Sequence, residues 1–136
     1  MVIRIILFKH KLKMYELIQK RMCMTKDIGV QDNLFGGVML SWLDECGAVF
    51  ASEKIGSKNV VTAHIDQLNF KLPVKAHDTV HIYGSIEKAG ETSLTIALKA
   101  EKTDPSNMQE PQIVCSTKMV FVHIGEDGKP TSWRNK

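Results

Sequence analysis

A chain of 136 residues is long enough to bury one real core and too short for two domains. Hydrophobic residues make up 43% and charged residues 24%, and a net charge of +3 is spread thinly, without the dense basic run of a nucleic-acid arm. No stretch reaches transmembrane length, and Cys23, Cys46 and Cys115 are far apart without CxxC spacing. That composition excludes nucleic acid and membrane insertion as expected partners and suits reduced, buried thiols in a cytoplasmic chain.

Residues 1–13 are expected to be a disordered N-terminal extension. Their apolar run, Val2 to Phe8, is interrupted by Arg4 and followed rather than preceded by Lys9, Lys11 and Lys13, which does not fit a signal peptide. Met14 serves equally well as a start. Residues 14–130 are read as a single domain and 131–136 as a short polar C-terminal tail. Tyr15 to Met24 reads as a first strand, with a short helix as the alternative up to Gln19, and Thr25 to Phe35 as a polar loop containing Gly29.

From Gly36 or Gly37 the pattern becomes helical and runs to about Lys54, stopped by Gly56. Val38, Met39, Leu40, Trp42, Leu43, Cys46, Val49 and Phe50 cover well over half the wheel, so this helix is expected to be buried at the centre of the domain. Asp44 stands at the edge of the one polar strip, which holds Ser41, Glu45, Ala48 and Ser52. A partly solvated carboxylate there needs a partner, a raised pKa or a job.

After Gly56 the period is that of extended chain. Asn59 to Phe70 reads as one unusually long strand ended by Leu72-Pro73, Thr79 to Lys88 as the next, and Thr92 to Glu101 as a third, reached through the turn Lys88-Ala89-Gly90-Glu91. Thr103 to Pro111 reads as a loop and Ile113 to Ile124 as the last strand. Short links favour antiparallel pairing. The expected class is α+β, one long central helix wrapped by a curved antiparallel sheet.

Chemistry has few places to sit. A helix opening on Gly36-Gly37 presents unpaired N–H groups at its positive end, where a carbonyl or phosphate oxygen can approach closely. The same pair is equally a tight turn from loop to helix, and Asn33 just before it is equally a helix N-cap. The five histidines are scattered, outside HExxH or zinc spacing, so no metal is expected. GxSxG and the phosphate-binding GxxxxGK[ST] are both absent from the sequence. His64 and Asp66, two apart on a strand, share a face and can form a polar pair.

Asn33-Leu34-Phe35-Gly36-Gly37, Leu43-Asp44-Glu45-Cys46-Gly47-Ala48, Val61-Thr62, Asp66 and Asn69-Phe70 together closely resemble the hotdog-fold acyl-CoA thioesterases, especially the YciA-type enzymes and cytosolic acyl-CoA hydrolases. The resemblance covers about Leu17 to Pro130. It implies a hotdog fold and hydrolysis of acyl-CoA to free fatty acid and coenzyme A. Coenzyme A is then part of substrate and product, and no separate cofactor is expected. It further implies a catalytic carboxylate at Asp44, Asn33 acting across a dimer interface, and Gly36 and Gly37 amides polarising the thioester carbonyl. Phe35 would contact substrate, as would Gly90, Thr92 and Ser93 in a turn near coenzyme A, where Glu91 replaces the family's usual Thr. The implied assembly has a homodimer as the minimal active unit, built into a hexamer as a trimer of dimers.

Asp44 could act as general base on water or attack the carbonyl itself. Two other classes remain in view. A hotdog protein can bind acyl-CoA as sensor or carrier without cleaving it, although the presence of both Asn33 and Asp44 argues for hydrolysis. A hotdog dehydratase needs a site histidine, and Val30 to Lys58 contains none.

Overall fold

The computed structural model describes residues 14–104, 106 and 110–134. The extension expected over residues 1–13 lies outside them, as does part of the Thr103–Pro111 loop. Among the described residues the order is β1 (Glu16–Met22), α1 (Gly36–Ile55), β2 (Val60–Ile65), β3 (Asn69–Phe70), β4 (Thr79–Ala89), β5 (Ser93–Thr103) and β6 (Gln112–His123). Tyr15 to Met24 therefore holds a strand, not the alternative short helix. The intervening loop contains two 3₁₀ turns, Thr25–Asp27 and Val30–Asp32.

All pairings are antiparallel, and the sheet runs β1-β4-β5-β6-β2, with β3 also on β6. The helix is the crossover that carries the chain from one edge, β1, to the other, β2. It lies against β5, β2, β6 and β4, and the sheet curls round it. Its C-terminus forms as its residues dictate: Gly56 sits at φ 79° and its N–H donates to Ser52 O at 2.8 Å. Lys54 in the last turn suits the negative end of the helix dipole and also reaches Glu16 Oε2 at 2.9 Å.

The inward row of β5, Leu94, Ile96, Leu98 and Ala100, is fully buried and meets Met39, Leu43 and Phe50 of the helix in one core with Met119 and Phe121 of β6. Gly47 allows the closest approach. A β-carbon there would lie 2.7 Å from Phe121 Cζ and 3.2 Å from Leu98 Cδ1, so helix and sheet meet at this residue only because it has no side chain. All three cysteines are free and buried, as expected. Burial pushes the Cys46 and Cys115 thiols up to about 11, which keeps them protonated and poor nucleophiles at neutral pH.

Two expectations need correction. The long strand Asn59–Phe70 is two strands, because its ladder with β6 slips twice. Ala63 is skipped between Thr62↔Phe121 and His64↔Val120, and residues 66–68 separate Ile65↔Met119 from Asn69↔Ser116. Each interruption places one extra residue on this side, which bends the edge around the helix. The helix is also less enclosed than its wheel suggests. Val49 is 54% exposed and shares an outward face with Ser41 and Glu45. The spacing 41, 45, 49 places all three on one stripe.

Candidate active site

Asp44 is half-buried near the middle of α1. The sequence left its partner open, and the structure supplies Thr62, whose Oγ1 donates to Asp44 Oδ1 at 2.7 Å. A hydroxyl at that distance fixes one carboxylate oxygen and leaves the other free to accept a proton or reach an electrophile. Thr62 can reach the helix because it stands opposite Phe121, a fully buried residue, on the inward face of the sheet just before the Ala63 slip. Within the sequence Thr62 was a β-branched strand residue and, with Val61, part of the family resemblance, but it was given no role of its own. Its pairing with a carboxylate 18 positions earlier leaves no local trace.

Asn33, Leu34 and Gly36 stand at the other end of the helix. The loop before it is held by Gly29 N–H to Asn33 O at 2.8 Å, Leu34 N–H to Val74 O at 2.7 Å, Phe35 N–H to Asp27 O at 2.9 Å and Lys75 Nζ to Gln31 O at 3.2 Å. These bonds support left-handed backbone at Gln31 (φ 62°) and Asp32 (φ 57°), an uncommon conformation for residues with a β-carbon. Asn33 is not the helix N-cap. Phe35 occupies that position without a side-chain cap bond, and Asn33 Oδ1 is buried without a hydrogen-bond partner among the described residues. Asn33, Gly36, Phe70, Lys71, Pro73 and Val74 line a cavity of about 380 Å³.

Neither the Gly36 nor the Gly37 N–H donates to a backbone carbonyl among the described residues, as the first turn of a helix requires. Gly36 has no positive φ, and a β-carbon on it would meet only Phe70 at an ordinary 3.6 Å. Neither backbone conformation nor packing demands a glycine there. Phe35 is an exposed aromatic beside them. At Gly90 a β-carbon would meet Ser93 Oγ at 2.5 Å but no backbone atom closer than 3.6 Å, so a side chain there would displace the Ser93 hydroxyl from its present position. Thr92 and Ser93 lie in the same turn, half-buried.

One chain does not bring these residues together. Gly36 and Asp44 are eight residues apart on one helix, about 12 Å along its axis. Gly36 adjoins Phe70, which pairs with Cys115, while Ser93 pairs with Val122. The glycine end and the Gly90–Ser93 turn are thus about 23 Å apart along β6. Asp44, level with Thr62 and Phe121, lies close to the Gly90–Ser93 end, one residue along β6 from Val122. His64 and Asp66 do meet, Nε2 to Oδ1 at 3.8 Å, but both are exposed and touch none of these groups. Among the described residues no cluster of His, Cys, Asp or Glu could hold a metal ion, and no helix is long and apolar enough to cross a membrane.

Among the described residues, one long helix in the grip of a curled antiparallel sheet is the architecture of a hotdog fold. The profile of the thioesterase superfamily matches residues 31–108, and the chain belongs to that family. It is 31% identical over 124 residues to an uncharacterized acyl-CoA thioester hydrolase of Buchnera aphidicola from Schizaphis graminum, covering 90% of this chain and 91% of the relative. To the acyl-CoA thioester hydrolase YciA of Salmonella typhimurium it is 30% identical over 117 residues, 85% and 87% of the two chains. Among solved structures, the hexameric thioesterase of Yersinia pestis superposes with a TM-score of 0.79 at 28% identity, over 86% of this chain and 93% of that one. An acyl-CoA hydrolase of Staphylococcus aureus, in complex with butyryl coenzyme A, coenzyme A and coenzyme A disulfide, superposes with a TM-score of 0.78 at 26% identity, over 88% and 70%.

Proposed function

We propose that this chain is an acyl-CoA thioester hydrolase whose active site forms between two copies joined along β2. The observation that carries the proposal is the Asp44 carboxylate, held by Thr62 on the edge strand of the described sheet, in a family whose relatives bear this activity in their names.

The edge itself supports a dimer. β2 ends the sheet, its sequence Val-Val-Thr-Ala-His-Ile contains no Pro or Lys to block pairing, and Val61 and Ile65 are 43% and 38% exposed. A second β2 running antiparallel across a two-fold axis would satisfy those backbone groups and cover those side chains. The two-fold also reverses direction along the sheet. It turns the Asn33–Gly37 end of one chain towards the partner's Gly90–Ser93 end, where the partner's Asp44 also lies. Distances too long within one chain become distances across an interface. The hexameric state of the Yersinia pestis thioesterase supports a hexamer here, which we take to be three such dimers.

A thioester is already an activated acyl group, so catalysis needs a nucleophile, a proton acceptor and donors for the oxyanion. Asp44, with one oxygen fixed by Thr62, acts as general base for water or as the nucleophile itself. The Gly36 and Gly37 N–H groups of the partner subunit face the carbonyl oxygen as it gains charge, a role in which one donor is worth about 10²–10³ in kcat. Asn33 Oδ1, buried and unpaired among the described residues, supplies an acceptor for a water O–H. Phe35 borders the acyl group. Thr92 and Ser93 border the coenzyme A moiety, and the cavity beside Lys71 receives part of the thioester substrate.

Release of free thiol from a panel of acyl-CoAs, short to long, tests the proposal. Turnover is expected, with one range of chain length preferred. Saturable binding with no thiol release on any chain would turn the assignment to a non-catalytic acyl-CoA carrier. In the same assay Thr62→Ala is expected to lose roughly tenfold or more in kcat, since a hydrogen bond to a charged group contributes about 1.5–3 kcal/mol. Thr62→Ser, which keeps the hydroxyl, should recover most of that loss.

A further inference from the structure

The C-terminal segment is polar in sequence and reads as a tail. In the structure it is a strap. After β6 the chain turns through Gly125–Lys129, with Gly125 N–H to Lys129 O at 2.9 Å, and Thr131 then docks on the carbonyl and the ring of His123. The Thr131 N–H donates to His123 O at 2.8 Å, and His123 Nδ1–H donates to Thr131 O at 2.9 Å. His123 is buried, and its own N–H donates to Thr92 O at 2.8 Å, so one residue couples the strap to the β4–β5 turn.

The next three residues then grip that turn directly. Ser132 Oγ donates to Glu91 Oε1 at 2.8 Å, and Trp133 N–H to Glu91 O at 3.3 Å. Trp133 Nε1–H donates to Ser93 O at 3.2 Å, while its ring packs against the edge of the core. Arg134 donates to Ala89 O at 3.3 Å and is otherwise exposed. Glu91, Thr92 and Ser93 each take a bond from the strap or its anchor. The partner that Glu91 finds here is Ser132.

We propose that residues 131–134 are a positioning strap that sets the affinity of this protein for the coenzyme A moiety by fixing the Gly90–Ser93 turn, and that Arg134 is held there as a cation for its phosphates. The proposal rests on the hydrolase reading, in which that turn borders coenzyme A. The strap touches neither Asp44 nor the glycine amides, so it acts on binding and not on bond cleavage. An Arg tethered by one N–H retains other donors in a fixed fork, suited to phosphate oxygens.

The test compares wild type with the double variant Ser132→Ala, Trp133→Phe, which removes two side-chain bonds and keeps an aromatic ring in the core, and with Arg134→Gln. Coenzyme A binding is measured by calorimetry, and kcat and KM are measured for an acyl-CoA and for the N-acetylcysteamine thioester of the same acid, which lacks the nucleotide. Two bonds at about 0.5–1.5 kcal/mol each give a roughly tenfold rise in Kd for coenzyme A and in KM for acyl-CoA. kcat and the KM for the short thioester are expected to stay within about twofold of wild type, a pattern that loss of fold would not produce. Equal losses on both thioesters, or an unchanged Kd, would overturn the strap proposal. Wild type that binds coenzyme A without cleaving any thioester would overturn the hydrolase reading alone, and the Kd comparison would still decide the strap. Wild type that binds no coenzyme A would overturn both.

Discussion

Asp44→Asn is expected to lower kcat for acyl-CoA hydrolysis by about 10²–10⁴, the contribution typical of a positioned general base, while KM changes little. The substitution is nearly isosteric and keeps an amide oxygen where Thr62 Oγ1 now donates at 2.7 Å. What it removes is the charge and the capacity to take a proton. Because the side chain is half-buried and already partnered, the variant should fold and melt close to wild type, so a loss of rate reports chemistry. Turnover at the wild-type rate would show that another group activates water and that Asp44–Thr62 is a structural pair.

The largest effect on stability is expected at Phe121. It is fully buried, stands between Leu94 of β5 and Thr62 of β2 in register, and fills the space left by the absent side chain of Gly47. Phe121→Ala should cost about 3–5 kcal/mol, lowering Tm by about 10–20 °C in a domain of this size. The cavity would open beneath Asp44 and Thr62, so activity should fall with stability. Phe121→Leu, which conserves more volume, should cost less than half as much. Gly47→Ala in the wild-type background meets Phe121 at 2.7 Å and overpacks the core. Combined with Phe121→Leu it should be better tolerated than alone, a non-additivity that thermal melts of the four proteins would measure. Independent, additive effects would mean that helix and sheet do not meet at this pair.

Much of this architecture was legible in the residues, for local reasons. The helix declared itself through its apolar period and Gly56, and β5 through the alternation of Leu94, Ile96 and Leu98, because those signals lie within a few residues of the element they define. The break in the long strand did not. Ala63 and residues 66–68 are set aside by the register of β6, more than 50 positions away, and nothing in their own sequence marks it. Val49 was assigned to the core because it is apolar, yet it sits on a helix face that the described sheet leaves uncovered.

Candidate site residues divide the same way. Asp44 stood out as a carboxylate on an apolar helix, and Gly36-Gly37 as bare amides at its start. Thr62 acquires its role only from a contact made in the folded state. The strap went unread because Thr131 to Arg134 have the composition of a frayed end. What anchors them is hydrogen bonding to His123, Glu91 and Ser93, part of it from the Ser132 hydroxyl and the Trp133 indole. Sequence pattern reports burial and turn chemistry well, and it reports poorly on partners supplied by another element or by another copy of the chain.

The composite site is the central claim, and mixed oligomers test it most directly. Asn33→Ala and Asp44→Asn, each expected to lose about a hundredfold or more in kcat alone, would be mixed in equal amounts and their subunits allowed to exchange freely. If Asp44 of one chain works with Asn33 of its partner, each hybrid dimer holds one fully native site and one doubly altered site. Random pairing then restores about one quarter of wild-type activity to the mixture, because half of the dimers are hybrids with one of two isologous sites intact. Activity no higher than that of the two variants alone would contradict the account, and would place Asp44 and Asn33 in service of the same chain.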